Sequence, residues 1–280
     1  MSDLAPILVP ILFLAPYLAY KFYQRTHRIN QLVESIVHNS RDYQEMSRLL
    51  DEGPVPAFSG VVAEDVATAD EPDDRAFLVL QDTQIVDMRH LYAADFWHGG
   101  GSPSMYGYRR VRVVKQPEIA GIVVLRVQLL PQSTQVDARF PAQQLQPTLR
   151  RVKLKDAGAD QDQYVWEMAC DFQKVPPDAA MDVFVEYSSR DAVQRESETG
   201  HTLSFAVQAE TAEKILWLLM PEGKEYRSWS LIRYETGKPD TVETVKPVTE
   251  YLAQNYTILA FKLLALKPGF TYEVRWTYKN

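Results

Sequence analysis

Hydrophobic and polar positions change rhythm three times along the chain. From Leu4 to Tyr20 nothing is charged and nearly everything is apolar. Seventeen such residues, at about 1.5 Å rise each, make roughly 25 Å of helix against a bilayer core about 30 Å thick. Phe22 and Tyr23 lengthen the run, and Lys21 can reach back to the headgroups. Residues 1–23 are therefore expected to form a single membrane-spanning helix that anchors the chain through residues 4–23. Pro6, Pro10 and Pro16 oppose a helix in water, but membrane helices tolerate proline and Pro6 falls near the first turn. A cleaved leader needs positive charge before the apolar run and a small-x-small site after it. Here Asp3 precedes the run, and Tyr20-Lys21-Phe22-Tyr23 closes it. A buried core helix is the remaining alternative, and it finds no second apolar run nearby to pair with.

The second rhythm is heptad-like. Ile29, Leu32, Ile36, Tyr43, Met46 and Leu50 recur at spacings of 3, 4, 7, 3 and 4, with Asn39 at the interrupted position. Residues 24–51 thus read as an amphipathic helical stalk, and as a coiled coil residues 29–50 would join a homodimer. A helix lying along its own domain or along the membrane is the alternative, and Asn39-Ser40 could cap a fresh helix at Arg41. Glu52-Gly53-Pro54-Val55-Pro56 ends the helix. Residues 52–75 form an acidic linker. Its carboxylates, Glu64, Asp65, Asp70, Glu71, Asp73 and Asp74, lack the alternate spacing and turn glycine of a calcium loop.

From Ala76 the period falls to two, with short runs separated by turn residues. Strands are expected over 76–80, 84–88, 108–114, 122–130, 135–140, 151–155, 164–172, 181–187, 202–207, 215–220, 228–234, 256–266 and 272–278. The fold class is therefore mainly β: an antiparallel sandwich or barrel following the helix and stalk. It divides either into a β module (76–145) and a β-sandwich (146–280), with Pro141 and Pro147 marking the boundary, or not at all. "MPEGKEY" (220–226) and "YETGKPDT" (234–241) read as hairpin turns. The long connections are Leu91–Gly107 and Ser189–Gly200, where loop-borne function would sit.

Charge narrows the partners. Thirty basic against thirty-seven acidic residues give a net charge of −7, which argues against nucleic acid. Lys21, Arg25 and Arg28 all follow the apolar run, so the positive-inside rule puts the body in the cytoplasm, with the reverse orientation as alternative. A lone cysteine, Cys170, agrees with a reducing compartment. The sequon Asn255-Tyr256-Thr257 would then go unused.

Chemistry-bearing motifs are scarce. The one histidine cluster, His90, Asp95 and His98, fits no zinc spacing. There is no Gly-x-Ser-x-Gly elbow, and Cys170 sits in an alternating apolar run that buries it. "HGGGSPS" (98–104) is glycine-rich but lacks the G-x-x-x-x-G-K-S/T arrangement of a phosphate-binding loop and reads as a flexible loop. No catalytic, cofactor-binding or metal-ligating residue is assigned. The five tryptophans lie mostly in strands, as core. Trp97 is the exception, next to Phe96 and His98 in a loop. Trp97 and His98, with Arg109 and Arg110 from a basic run that also includes Arg112, make the candidate binding surface. Solvated strand positions account for the arginines equally well.

"LKPGFTYEVRW" (266–276) resembles the tyrosine corner of fibronectin type III domains, in the L-x-P-G-x-x-Y-x-V pattern of Leu266, Pro268, Gly269, Tyr272 and Val274. The resemblance implies an immunoglobulin-like sandwich and structural roles for those residues. It departs from the family in that a further strand should follow. The expectation is a membrane-anchored, non-catalytic β-sandwich scaffold, receptor or sensory module that binds a protein partner. The alternative is a tethered carbohydrate- or lipid-binding or hydrolytic domain with its site in the 91–107 loop.

Overall fold

The computed structural model describes Arg48 and residues 64–66, 76–89, 91, 104–117, 124–129, 135–140, 144–153, 164–190, 194–195, 200–252 and 256–279. Backbone contacts divide the chain into Met1–Ser47 and Arg48–Asn280, and every described residue belongs to the second unit. The expected span at 1–23, the stalk apart from Arg48, and most of the acidic linker lie outside the described residues. Among the described residues no helix is long and apolar enough to cross a membrane.

The described chain is mainly strand, as the period-two patterning predicts. In order come β1 (Glu64–Val66), β2 (Phe77–Asp87), β3 (Ser104–Lys115), β4 (Val124–Gln128) and β5 (Gln135–Arg139). There follow β6 (Thr148–Lys153), β7 (Tyr164–Asp171), β8 (Ala180–Arg190), β9 (Gln194–Arg195), β10 (Gly200–Val207) and β11 (Glu210–Leu219). The last are β12 (Tyr226–Glu235), β13 (Lys238–Thr244), β14 (Thr249–Leu252), β15 (Ile258–Leu266) and β16 (Phe270–Tyr278).

They form three sheets. A seven-stranded sheet runs β14-β15-β11-β2-β3-β8-β5, a five-stranded one β13-β12-β16-β10-β9, and a four-stranded one β1-β6-β7-β4. Pairing is antiparallel except for β11 with β2 and β1 with β6, so the two sheets that contain those pairs are mixed rather than purely antiparallel. The seven-stranded sheet takes strands from both sides of residue 146.

Two local readings change. The separate strands expected at 76–80 and 84–88 are one strand, β2. A register shift between Val79 and Gln81 absorbs the polar stretch that looked like a break. The "MPEGKEY" segment is not a hairpin. β11 is buried without interruption from Lys214 to Leu219, as a central strand should be. Both its edges are occupied, by β15 and β2, so the turn passes the chain to β12 in the five-stranded sheet. "YETGKPDT" does form the β12–β13 hairpin, turning at Gly237 with φ 82°.

One hydrophobic cluster takes side chains from all three sheets. Val86, Val111, Val185, Leu216 and Leu218 come from the seven-stranded sheet. Leu203, Phe205, Tyr272, Val274 and Trp276 come from the five-stranded sheet, and Leu125, Val127, Leu149, Met168 and Cys170 from the four-stranded one. The Leu266–Trp276 segment turns from β15 in one sheet to β16 in another. Gly269 adopts φ 82° there and donates its N–H to Val207 O at 3.1 Å. Tyr272 stacks on Phe205, centroids 5.4 Å apart, and lies opposite Arg233 in the β12–β16 ladder.

Candidate functional site

Residues two apart on a strand share a face. Asp82 and Gln84 on β2 therefore point together, and register supplies the rest. Lys214 on β11 lies opposite Asp82, and Arg109 on β3 lies opposite Gln84. Tyr187 on β8 lies opposite Gly107, two residues before Arg109. Four adjacent strands thus set one polar stripe on the inner face of the seven-stranded sheet.

The stripe is closed on itself. Arg109 holds Asp82 through both carboxylate oxygens, Nε to Oδ1 at 2.9 Å and Nη2 to Oδ2 at 2.6 Å. Lys214 Nζ donates to Asp82 Oδ2 at 2.8 Å and to Gln84 Oε1 at 2.9 Å. Gln84 Nε2 donates to the Tyr187 hydroxyl at 2.8 Å. The Phe205 ring, from the five-stranded sheet, lies 5.1 Å from Nζ. Lys214 is 1% exposed and Asp82 6%.

Burial on this scale moves protonation equilibria. For Asp82 burial works to raise the carboxyl, but the charges of Arg109 and Lys214 and their hydrogen bonds outweigh it and hold it at about 2. For Lys214 burial and the neighbouring Arg109 charge pull the amine down to about 7 against the attraction of Asp82. Burial pushes the Tyr187 hydroxyl up to about 12, so it stays neutral.

A desolvated lysine beside a fixed cation is the type of amine that attacks carbonyl carbon. The space around it decides against that use. The cavity at this point, lined by Val79, Asp82, Arg109, Phe205, Ala209 and Lys214 among others, holds about 30 Å³. That admits a water or two, not a substrate.

A wider concavity lies at the rim where β2 and β11 end. It holds about 370 Å³ and is lined by Arg89, Leu219, Met220, Pro221, Glu222, Gly223, Thr257 and Ile258, at the small end of the roughly 300–1,000 Å³ of ligand pockets. Backbone bonds brace its walls: Met220 N to Thr257 O at 2.8 Å, and Glu222 N to Arg89 O at 3.2 Å. Arg89 is fixed by Asp87 at 2.8 Å. Tyr256, next to Thr257, holds φ 56°, a strained backbone for a side chain of that size and of the sort that gathers at binding sites. The Lys279 ammonium sits 4.0 Å from its ring centroid.

Of the residues expected to bind, Trp97 and His98 lie outside the described residues. Arg109 and Arg110 do not share a face. Arg109 turns into the core on Asp82, and Arg110, also buried, turns to the other side, bonding Gln81 and lying 4.0 Å from Asp182. Arg112 is exposed. Cys170 is buried, as its alternating context predicts. Among the described residues no group of three His, Cys, Asp or Glu could hold a metal. Asp82, Gln84, Tyr187 and Lys214 escaped the sequence reading. The available signal was charge and amide inside strands otherwise destined for the core.

No family model matches the sequence, and no curated protein does. Among solved structures the chain is similar to a presumed protease from Parabacteroides distasonis, at 12% identity and TM-score 0.37, over 72% of this chain and 40% of that one. It is similar to native yeast LTA4 hydrolase at 8% identity and TM-score 0.35, over 76% of this chain and 32% of that one. A second structure of that enzyme, from Saccharomyces cerevisiae, aligns at 8% identity and TM-score 0.32, over 71% and 29%. The chain spans 40% or less of each of these proteins, and likeness at this level assigns no activity.

Proposed function

We propose that the chain is a membrane-tethered, non-catalytic module of the immunoglobulin-like sandwich type, whose β body binds a protein partner through its rim. The carrying observation is that the buried charges of the inner stripe consume one another. Asp82, Arg109 and Lys214 are bonded together in a cavity of about 30 Å³, leaving no room for a reacting molecule. Residues 4–23 supply the anchor, 24–51 the stalk, and the body faces the cytoplasm. A rigid, apolar-walled rim concavity with a braced turn is suited to seating one anchor side chain of a partner.

The full-length chain, reconstituted in membranes and crosslinked through the rim, is expected to capture one protein reproducibly. An Ile258→Arg change, which crowds the concavity, is expected to abolish that capture while leaving the circular dichroism spectrum and melting temperature unaltered. Loss of capture accompanied by unfolding, or capture indifferent to Ile258→Arg, removes the rim from the proposal. Reporter fusions at either end decide the orientation.

A second reading has one observation in its favour. The concavity begins at Arg89, where the chain leaves β2 for the stretch expected as the 91–107 loop, whose last residues, Ser104 to Gly107, belong instead to β3. A tethered carbohydrate- or lipid-binding or hydrolytic domain would use that place, and turnover of such a substrate by the full chain would favour it.

A further inference from the structure

Hydrogen counting at Lys214 separates its two protonation states. A neutral amine has two N–H donors and one lone pair, whereas an ammonium has three donors and no lone pair. Asp82 Oδ2 and Gln84 Oε1 are two acceptors at 2.8 and 2.9 Å, so the neutral amine is matched by what the protein provides. The ammonium has a third N–H, for which the protein offers the Phe205 ring, 5.1 Å from Nζ, rather than an oxygen acceptor. It also shares a carboxylate that Arg109 already holds through both oxygens.

The surrounding elements add no second anion to Lys214. β2 contributes Asp82 and neutral Gln84, β3 contributes Arg109, β8 the Tyr187 hydroxyl, and β10 the Phe205 ring. β4 contributes Leu125 and Val127, and β15 contributes Leu266. Glu213, the neighbour on β11, is bonded instead to Gln81 and Lys262.

The position of the cavity gives this mismatch a mechanical consequence. Val207, Gln208 and Ala209 line it, and they are the corner by which the chain passes from β10 in the five-stranded sheet to β11 in the seven-stranded one. We propose that Lys214 is a proton-operated latch between these two sheets: the neutral amine seals the cavity, and the ammonium draws water into it and loosens the β10–β11 corner. The amine's ordinary value of 10.5 is brought to about 7, so the latch works across the neutral range.

The sign follows from linkage. A folded value below the unfolded one means that the closed state binds fewer protons between pH 7 and 10.5, so closure strengthens as pH rises through that window. Between pH 6 and 8.5 the two values imply a change of about thirtyfold in the opening equilibrium.

The experiment uses the full-length chain in nanodiscs. Hydrogen exchange of amides 203–219, corrected for intrinsic rates, is compared at pH 6 and pH 8.5, and lysine side-chain carbons labelled with ¹³C are titrated by NMR. The expected result is protection about thirtyfold greater at pH 8.5, one lysine titrating near 7, and loss of both effects in Lys214→Met. The latch is overturned if all lysines titrate with the exposed ones, if wild-type protection is equal at the two pH values, or if the pH dependence survives in Lys214→Met. Should that variant fail to fold, the wild-type titration and exchange decide alone.

Discussion

Gly107 lies directly beneath the ring of Tyr187: a Cβ added at Gly107 would stand 2.1 Å from the Tyr187 Cζ. The two residues are opposite each other in the β3–β8 ladder. Glycine there is what allows the tyrosine to lie flat across β3 and present its hydroxyl to Gln84 Nε2 at 2.8 Å. The position is chosen for space, and the space serves the polar stripe.

Gly107→Ala should therefore tilt the Tyr187 ring, break the Gln84 bond and destabilise the body by about 1–3 kcal/mol. In a Tyr187→Ala background, where the ring is gone, the same change should cost well under 1 kcal/mol. Urea unfolding of the four proteins of this cycle measures the coupling. Equal cost in both backgrounds would show that the contact does not govern the position.

Asp82 is the anion shared by two cations, so its loss and the loss of Lys214 are not equivalent. Asp82→Asn leaves Arg109 and Lys214 buried without their carboxylate and is expected to cost about 3–5 kcal/mol. Lys214→Met removes one cation and leaves the Arg109–Asp82 pair intact, so about 1–2 kcal/mol is expected, chiefly from the unpaired Gln84 oxygen. Denaturant midpoints at pH 7 test the ranking, and a Lys214→Met loss equal to that of Asp82→Asn would refute the unequal sharing.

Much of the β architecture was legible, and the reason is periodicity. β15 and β16, joined through Lys267, Pro268 and Gly269, are legible almost to their ends, because apolar side chains mark both strands and Lys-Pro-Gly marks the turn between them. β2 looks like two strands in the sequence, since Gln81, Asp82 and Thr83 interrupt the apolar alternation. That interruption is itself the site. The ion pair that accounts for it joins residues 132 apart in sequence, a distance at which no local pattern carries information. The misread "MPEGKEY" turn has the same origin. Turn chemistry states that the chain reverses, not which sheet receives it.

Cys170 tests the four-stranded sheet. It is 1% exposed, and burial together with the nearby Asp171 charge pushes its thiol up to about 11. Folded protein at pH 8 should react with a maleimide or disulfide reagent at least about a hundredfold more slowly than unfolded protein. Mass spectrometry over a time course, with and without denaturant, gives both rates. Rapid labelling of the native chain would mean that β7 opens readily.

Acid should reveal Asp82 through a dependence opposite in direction from that of an ordinary buried carboxyl. Its folded value of about 2 lies below the ordinary 3.8, so the native state binds fewer protons there than the unfolded chain. The stability it contributes is complete above pH 3.8 and is lost as pH falls through about 2. Had burial prevailed over Arg109 and Lys214, the folded value would lie above 3.8, and protonation would relieve strain rather than cause it. Unfolding free energies measured at pH 5, 3.5 and 2.5 should therefore fall more steeply for wild type than for Asp82→Asn, and the two curves should converge toward pH 2. Parallel curves would mean that the carboxyl is not held down in the folded state, and the bidentate Arg109 pair could not then be the arrangement that holds β2 to β3.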